Sequence, residues 1–273
     1  MTVTPYFAQD GVTLYHGDNV QTMREAIPDQ SIDLVVTSPP YDNLRTYGGH
    51  TWDFEGLAAE LWRTIKPGGV VVWIVNDATV DGSETGTSFM QALHFKDIGF
   101  RLHDTMIYLK PGFSFPDHVR CHQVFEYMFC LSKGDVATFN QIKDRKTING
   151  GKPLGGDYKR GKDGKSVMRA GSDNRGIREE WGGRSNVWLV EAGGSNSATD
   201  GVAYNHPAIF PEALARDHIL SWSNEGDTVL DPFSGSGTTL KMARLMGRKG
   251  IGIEIHQDYC DIAVERLRQK LLF

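Results

Sequence analysis

The sequence predicts an α/β protein built on a mostly parallel sheet with helices on both faces, carrying an irregular basic insertion. Three observations predict it. Short apolar runs rich in β-branched residues alternate with stretches of helical spacing, as strands buried on both faces require. That alternation stops near Asn140 and resumes after Gly201. Two of the strand-like runs end in Pro- or Gly-rich turns, at the strand ends where such sheets place their sites.

The candidate strands, in order, are 12–16, 32–36, 69–75, 104–109, 125–131, 228–231 and 250–254, seven in all. Between the second and third, Leu57, Leu61, Trp62 and Ile65 give a helix over 54–65, stopped by Lys66-Pro-Gly-Gly69. A second helix spans 89–97 and ends at Gly99. Three more are expected over 211–221, 238–246 and 259–270, the first opening with Pro211, whose fixed φ suits a helix start. The chain divides into a first half, 1–139, an insertion, 140–201, and a second half, 202–273. Within the insertion Trp181 and Trp188 stand as isolated anchors, and the glycine-rich runs 150–156 and 193–201 read as loops.

A chain of 273 residues with 40% hydrophobic content can bury a substantial core. It has no apolar run of eighteen residues, and Met1-Thr-Val-Thr-Pro-Tyr6 lacks a basic start followed by an apolar stretch. Neither membrane insertion nor secretion is indicated, and a cytoplasmic location is expected. Cys121, Cys130 and Cys260 form no C-x-x-C pair, which argues for reduced thiols rather than a disulfide framework. The net charge is −5, yet residues 143–184 hold twelve Lys and Arg against six Asp and Glu. A basic segment on an acidic body is the footprint of a polyanion-binding surface.

The run Asp231-Pro-Phe-Ser-Gly-Ser-Gly-Thr-Thr239 follows a strand and opens a helix. Gly235 and Gly237 allow close backbone approach to a ligand, and the helix start presents free amides. A phosphate-binding loop would need Gly-Lys-Ser/Thr, whereas Gly237 is followed by Thr238-Thr239 and Lys241 lies inside the helix. A second acid, Glu254, ends the next strand twenty-three residues after Asp231, where a carboxylate can accept ribose hydroxyls. A nucleoside-containing cofactor is expected there.

Thr37-Ser38-Pro39-Pro40-Tyr41 follows the strand at 32–36. Consecutive prolines are rigid and donate no backbone hydrogen bonds, so the turn exposes carbonyls as acceptors. An exocyclic amine on a base is a poor nucleophile because its lone pair is conjugated into the ring. The Ser38 hydroxyl and Pro39 carbonyl, gripping its hydrogens, would localise that pair, and Tyr41 would stack on the base.

These residues carry a resemblance. The chain resembles the S-adenosylmethionine-dependent DNA amino-methyltransferases of the permuted, beta-type arrangement, in which the catalytic tetrapeptide precedes the recognition region and the cofactor motif comes last. Ser38, Pro39, Pro40 and Tyr41 resemble the catalytic motif, Asp231, Pro232, Phe233, Gly235 and Gly237 with Thr238 the methionine-binding loop, and Glu254 the ribose acid. Asp18 resembles the acid that contacts the cofactor adenine, and His206-Pro-Ala-Ile-Phe-Pro211 the segment beside the cofactor pocket. The resemblance implies a Rossmann-like methyltransferase sheet of seven strands, one antiparallel, and site-specific double-stranded DNA whose target base is extruded from the stack. It also implies a homodimer and a cognate restriction nuclease as partners, in a bacterium or phage. Arg45 and Tyr47 would contact the extruded nucleotide or its neighbours, as would Asn43, while Lys159, Arg160, Lys162 and Lys165 would contact phosphates. Serine at the first motif position tilts the reading to cytosine N4 over adenine N6.

Two other functions fit less well. RNA or protein-glutamine methyltransferases usually place the cofactor motif first and lack a basic insertion between the motifs. A catalytically inactive DNA-binding protein of the same fold would not need Ser38, Tyr41, Asp231 and Glu254 intact. His118, Cys121 and His122 are too loosely spaced for a zinc site, and no metal is expected.

Overall fold

All seven candidate strands form and join one sheet in a computed structural model, which describes residues 4–41, 52–112, 119–148, 150–151, 158–161, 163–168, 177–191 and 197–269. Numbered in chain order, the strands of this sheet are β1 (Phe7–Gln9), β2 (Val12–His16), β3 (Ile32–Thr37), β4 (Ile65–Val75), β5 (Arg101–Leu109), β6 (Phe125–Ser132), β7 (Val187–Leu189), β8 (Thr228–Asp231) and β9 (Lys249–Glu254). Their spatial order is β1-β2-β9-β8-β3-β4-β6-β5-β7. From β2 to β4 every pairing is parallel, and β6 runs antiparallel to both β4 and β5. The sheet thus has two strands more than expected. Both are three-residue edge strands, β1 antiparallel on β2 and β7 parallel on β5, too short to leave a pattern in sequence.

The middles of the central strands are apolar on both faces because helices pack on each side, with polar residues at or near the strand ends. Leu34, Val35, Val36, Val71, Val72 and Ile74 are fully buried. Helix α2 (Phe54–Thr64) starts where Asp53 accepts a hydrogen bond from the Gly56 amide at 2.9 Å, and it buries Leu57, Ala58 and Leu61. β4 begins at Ile65, four residues before the expected start, since Lys66-Pro-Gly-Gly69 continues the strand through an irregularity with Gly68 at φ +83° and a shift in register against β3. Helices α3 (Thr87–Asp97), α4 (Glu212–Trp222), α5 (Thr238–Leu245) and α6 (Gln257–Arg268) lie within two residues of expectation at each end. Helix α1 (Asn19–Ala26) was not expected. Its apolar face is Val20, Met23 and the small Ala26, and the Asp18 side chain starts it by accepting from the Gln21 amide at 2.8 Å.

The connections place the site. After β3 the chain passes through α2 to β4 on one side, and after β8 it passes through α5 to β9 on the other. β3 and β8 are neighbours, so the crevice at their carboxyl ends is a topological switch point, where open α/β sheets bind ligands.

Residues Gln141–Ser185 form a separate compact unit, shorter than the stretch 140–201 read as an insertion. Residues 186–201 belong to the larger unit, because Val187–Leu189 pairs with β5 and Trp188 stacks on His218 with ring centroids 4.4 Å apart. The smaller unit contains two antiparallel ribbons, Lys143–Lys146 with Trp181–Gly183 and Tyr158–Arg160 with Ser166–Met168. Trp181, expected as an anchor, is half exposed. No helix among the described residues is long and apolar enough to cross a membrane.

Candidate active site

A cavity of about 790 Å³ opens at the switch point. Asp18, Ser38, Pro39, Pro40, Tyr41, His206, Asp231, Pro232, Phe233, Gly235, Thr238 and Glu254 all line it. Two segments almost two hundred residues apart in sequence therefore share one wall. The link between them is direct: the Thr37 hydroxyl donates to Asp231 Oδ1 at 2.7 Å, so the last residue of β3 is bonded to the last residue of β8. Thr239 adds a second tie, donating to the Val36 carbonyl at 3.3 Å.

Asp231 is 4% exposed and also accepts from the Phe233 amide at 3.1 Å, which folds the turn back on the strand end. Burial pushes its carboxyl up to about 6, against the opposing pull of the Thr37, Thr239 and Phe233 donors, and the charge of Glu254 adds to the rise. Glu254 accepts from the Gly235 amide through one oxygen and from the His256 amide through the other, both at 2.8 Å. Burial raises its carboxyl as well, the two amides opposing. Both acids thus hold the glycine turn in shape while lining the cavity. Asp18 likewise caps α1 as it faces the same space.

Gly235 has φ +49°, and a Cβ there would stand 3.1 Å from His206 Nε2. Only glycine accommodates both the backbone and the imidazole. Gly237 behaves differently from expectation. It caps α5 at φ +76°, outside the cavity lining, and a Cβ would meet that of Ala263 at 2.9 Å. Its requirement for glycine is explained by close packing of α5 on α6.

Beneath the glycine turn lies a charged quartet that sequence reasoning missed. Arg266, fully buried, donates to the Ser236 carbonyl at 2.7 Å, the Thr238 hydroxyl at 2.9 Å, Glu212 at 2.9 Å and Asp200. Lys241 bridges Asp200 and Glu212, each at 2.7 Å. Burial pushes the Asp200 carboxyl up, but Lys241 and Arg266 outweigh it and hold it below its ordinary value. Two positive and two negative groups balance, and their donors rigidify the turn from behind.

The cavity has a second end, lined by Trp52, Asn76, Tyr108, Lys110 and Glu126, none of them singled out in sequence. Trp52 packs edge-on against Phe233, with centroids 5.1 Å apart. Tyr41 donates to Glu126 Oε2 at 2.9 Å, and Ser38 Oγ lies 2.7 Å from the Tyr41 hydroxyl. Lys110 forms an ion pair with Glu126. The available signal was positional: Lys110 and Glu126 are charges at the facing ends of the paired strands β5 and β6.

Of the residues expected to contact DNA, Arg160 and Lys165 are exposed in the smaller unit. Lys159 lies on the Tyr158–Arg160 strand. Asn43, Arg45, Tyr47 and Lys162 lie outside the described residues, as do Phe113–Phe115 and His118. Cys130 and Cys260 are buried and Cys121 is exposed.

Residues 32–265 match the N6/N4 methyltransferase family, described as DNA methylase. The chain belongs to that family. The DNA methylase is 55% identical over 252 residues to the orphan methyltransferase M.BamHII of Bacillus amyloliquefaciens, covering 92% of this chain and 94% of that protein. Solved structures agree on the fold. The DNA methylase superposes on the cytosine-N4-specific PvuII DNA methyltransferase with a TM-score of 0.67 at 20% identity, covering 100% of this chain and 89% of the other. M1.HpyAVI in its complex with SAM gives a TM-score of 0.60 at 20% identity, covering 94% and 100%. The matched span, 32–265, takes in both the Ser38–Tyr41 and the Asp231–Glu254 segments.

Proposed function

We propose that this DNA methylase transfers a methyl group from S-adenosylmethionine to an exocyclic amino group of a base extruded from double-stranded DNA, with cytosine N4 as the target. The observation that carries the reading is the 2.7 Å hydrogen bond from Thr37 to Asp231, which fastens the acceptor turn to the glycine turn within one cavity.

The residues present suit the cofactor. A volume of about 790 Å³ falls in the range of small-molecule sites. The acids Asp18, Asp231 and Glu254 complement a ligand bearing an ammonium, a sulfonium and ribose hydroxyls, and Trp52 and Phe233 supply aromatic wall. When bound, S-adenosylmethionine supplies an electrophilic methyl carbon. The chain's own contribution is orientation and acceptors. Ser38 Oγ and the Pro39 carbonyl take the amine's hydrogens and localise its lone pair, and the Tyr41 ring forms the face on which the base rests. Holding the amine in line with the methyl carbon supplies much of the rate enhancement. After transfer the amine's proton leaves to solvent.

Base extrusion costs a few kcal/mol, and phosphate contacts from the basic residues of 141–185, Lys159, Arg160, Lys162 and Lys165 among them, help to offset it. Action without a paired nuclease is supported by the description of M.BamHII, 55% identical, as an orphan methyltransferase. The deciding experiment incubates the protein with labelled S-adenosylmethionine and duplex DNA, then identifies the modified nucleoside. N4-methylcytosine is the expected product. N6-methyladenine would overturn the choice of base, and label in RNA or protein alone would overturn the substrate class.

A further inference from the structure

The inference below rests on the reading that Ser38 accepts a hydrogen from the target amine. β6 runs against its neighbours, so its first residues lie at the sheet edge where β3 ends, and Glu126 stands there directly across from Tyr108. The Tyr41 hydroxyl donates to Glu126 at 2.9 Å, and Ser38 Oγ approaches the same hydroxyl at 2.7 Å. A phenol has one hydrogen to give, and an ionised carboxylate has none. With the tyrosine hydrogen committed to Glu126, the short Ser38 contact is satisfied when Ser38 donates to the phenolic oxygen. The single hydrogen of the serine hydroxyl is then used inside the turn, and its lone pairs are left for the cavity that it lines. Lys110 forms an ion pair with the same carboxylate, on the side of the strand pair where β5 ends.

We propose that Glu126 is a positioning residue that sets the donor–acceptor sense of Ser38 through the Tyr41 hydroxyl, keeping the serine an acceptor for an exocyclic amino group. Without the carboxylate, Tyr41 is free to hand its hydrogen to Ser38. The serine hydrogen then turns toward the amine, which presents hydrogens of its own, and the lone pair that must attack is no longer localised.

The test compares single-turnover methyl transfer by the wild type, Glu126→Ala, Glu126→Gln, Tyr41→Phe and the Glu126→Ala/Tyr41→Phe double variant. Calorimetric Kd for S-adenosylmethionine and KM for DNA are measured alongside. Glu126→Ala should slow transfer roughly 10- to 100-fold, with cofactor Kd and KM for DNA within about 2-fold of wild type. Glu126→Gln, whose amide oxygen still accepts from Tyr41, should recover most of the rate. In the Tyr41→Phe background Glu126→Ala should cost nothing further, because the hydroxyl through which it acts is gone. A wild-type rate in Glu126→Ala, additive losses in the double variant, or Glu126→Gln as slow as Glu126→Ala would each overturn the assignment. If the wild type transfers no methyl to any duplex, the underlying reading falls and takes this one with it; an active wild type with an equally active Glu126→Ala sinks only the role of Glu126.

Discussion

Replacing Asp231 with Asn should make the cofactor-free protein more stable while weakening its hold on S-adenosylmethionine. The Thr37 hydroxyl and the Phe233 amide both reach Oδ1, so an asparagine carbonyl can accept those two bonds. What changes is the charge. Burial raises the carboxyl from 3.8 to about 6, so ionising it inside the protein costs about 3 kcal/mol more than in the unfolded chain, at about 1.4 kcal/mol per pH unit. The sign follows from the raised value. Below about pH 4 the carboxyl is protonated in both states and folding carries no such cost. As pH rises through about 6 the unfolded chain releases the proton more readily, and wild-type stability falls by that amount. Asparagine does not titrate, so its advantage should be nearly full at pH 8 and about half as large at pH 5. For a chain of this size that corresponds to roughly 5–10 °C in Tm at pH 8. Thermal melts of wild type and Asp231→Asn without cofactor, at pH 5, 6, 7 and 8, measure it, and calorimetry gives the loss of cofactor affinity. A Tm difference that does not change with pH, or an asparagine variant less stable at pH 8, would refute the reasoning.

Tyr41→Ala should abolish methyl transfer with cofactor Kd nearly unchanged, and normal turnover would defeat the stacking role. Neutralising Lys159, Arg160, Lys162 and Lys165 together should weaken duplex binding and flatten its dependence on salt by about one unit of slope per lost phosphate contact, as read from titrations at several salt concentrations; an unchanged slope assigns the phosphate contacts elsewhere. Arg266→Ala strands Asp200 and Glu212 with Lys241 as their remaining cation in the quartet, and should cost about 3–5 kcal/mol in chemical denaturation. A loss below about 1 kcal/mol would show that water restores the quartet.

The parallel core was legible because strands covered on both faces carry consecutive apolar residues, and Leu34–Val36, Val70–Val75 and Val229–Leu230 are such runs between turn signals. The two catalytic-type turns were legible because their chemistry is local: prolines after a strand, glycines before a helix. What stayed hidden depends on pairing across distance. Arg266 and Lys241 read as ordinary helical charges until Asp200 and Glu212 arrive from other elements. Glu126 and Lys110 acquire meaning only because β6 runs antiparallel, which brings its start to the edge where the parallel strands end. Helix α1 was missed since Val20, Met23 and the small Ala26 are its only apolar residues in eight and give little periodicity. Gly237 packs against Ala263, a demand for glycine that looks the same in sequence as one set by a ligand.

The segment 141–185 leaves and rejoins the larger unit at two stitched points. Asn140 donates its amide to the Ser221 carbonyl at 2.8 Å, and the Asn186 carbonyl accepts from the Ile107 amide at 2.8 Å. Among the described residues, every one that lines the cavity lies outside that segment. Exchanging 141–185 for another segment between these two asparagines should therefore leave the described walls of the cavity, and with them cofactor binding, in place.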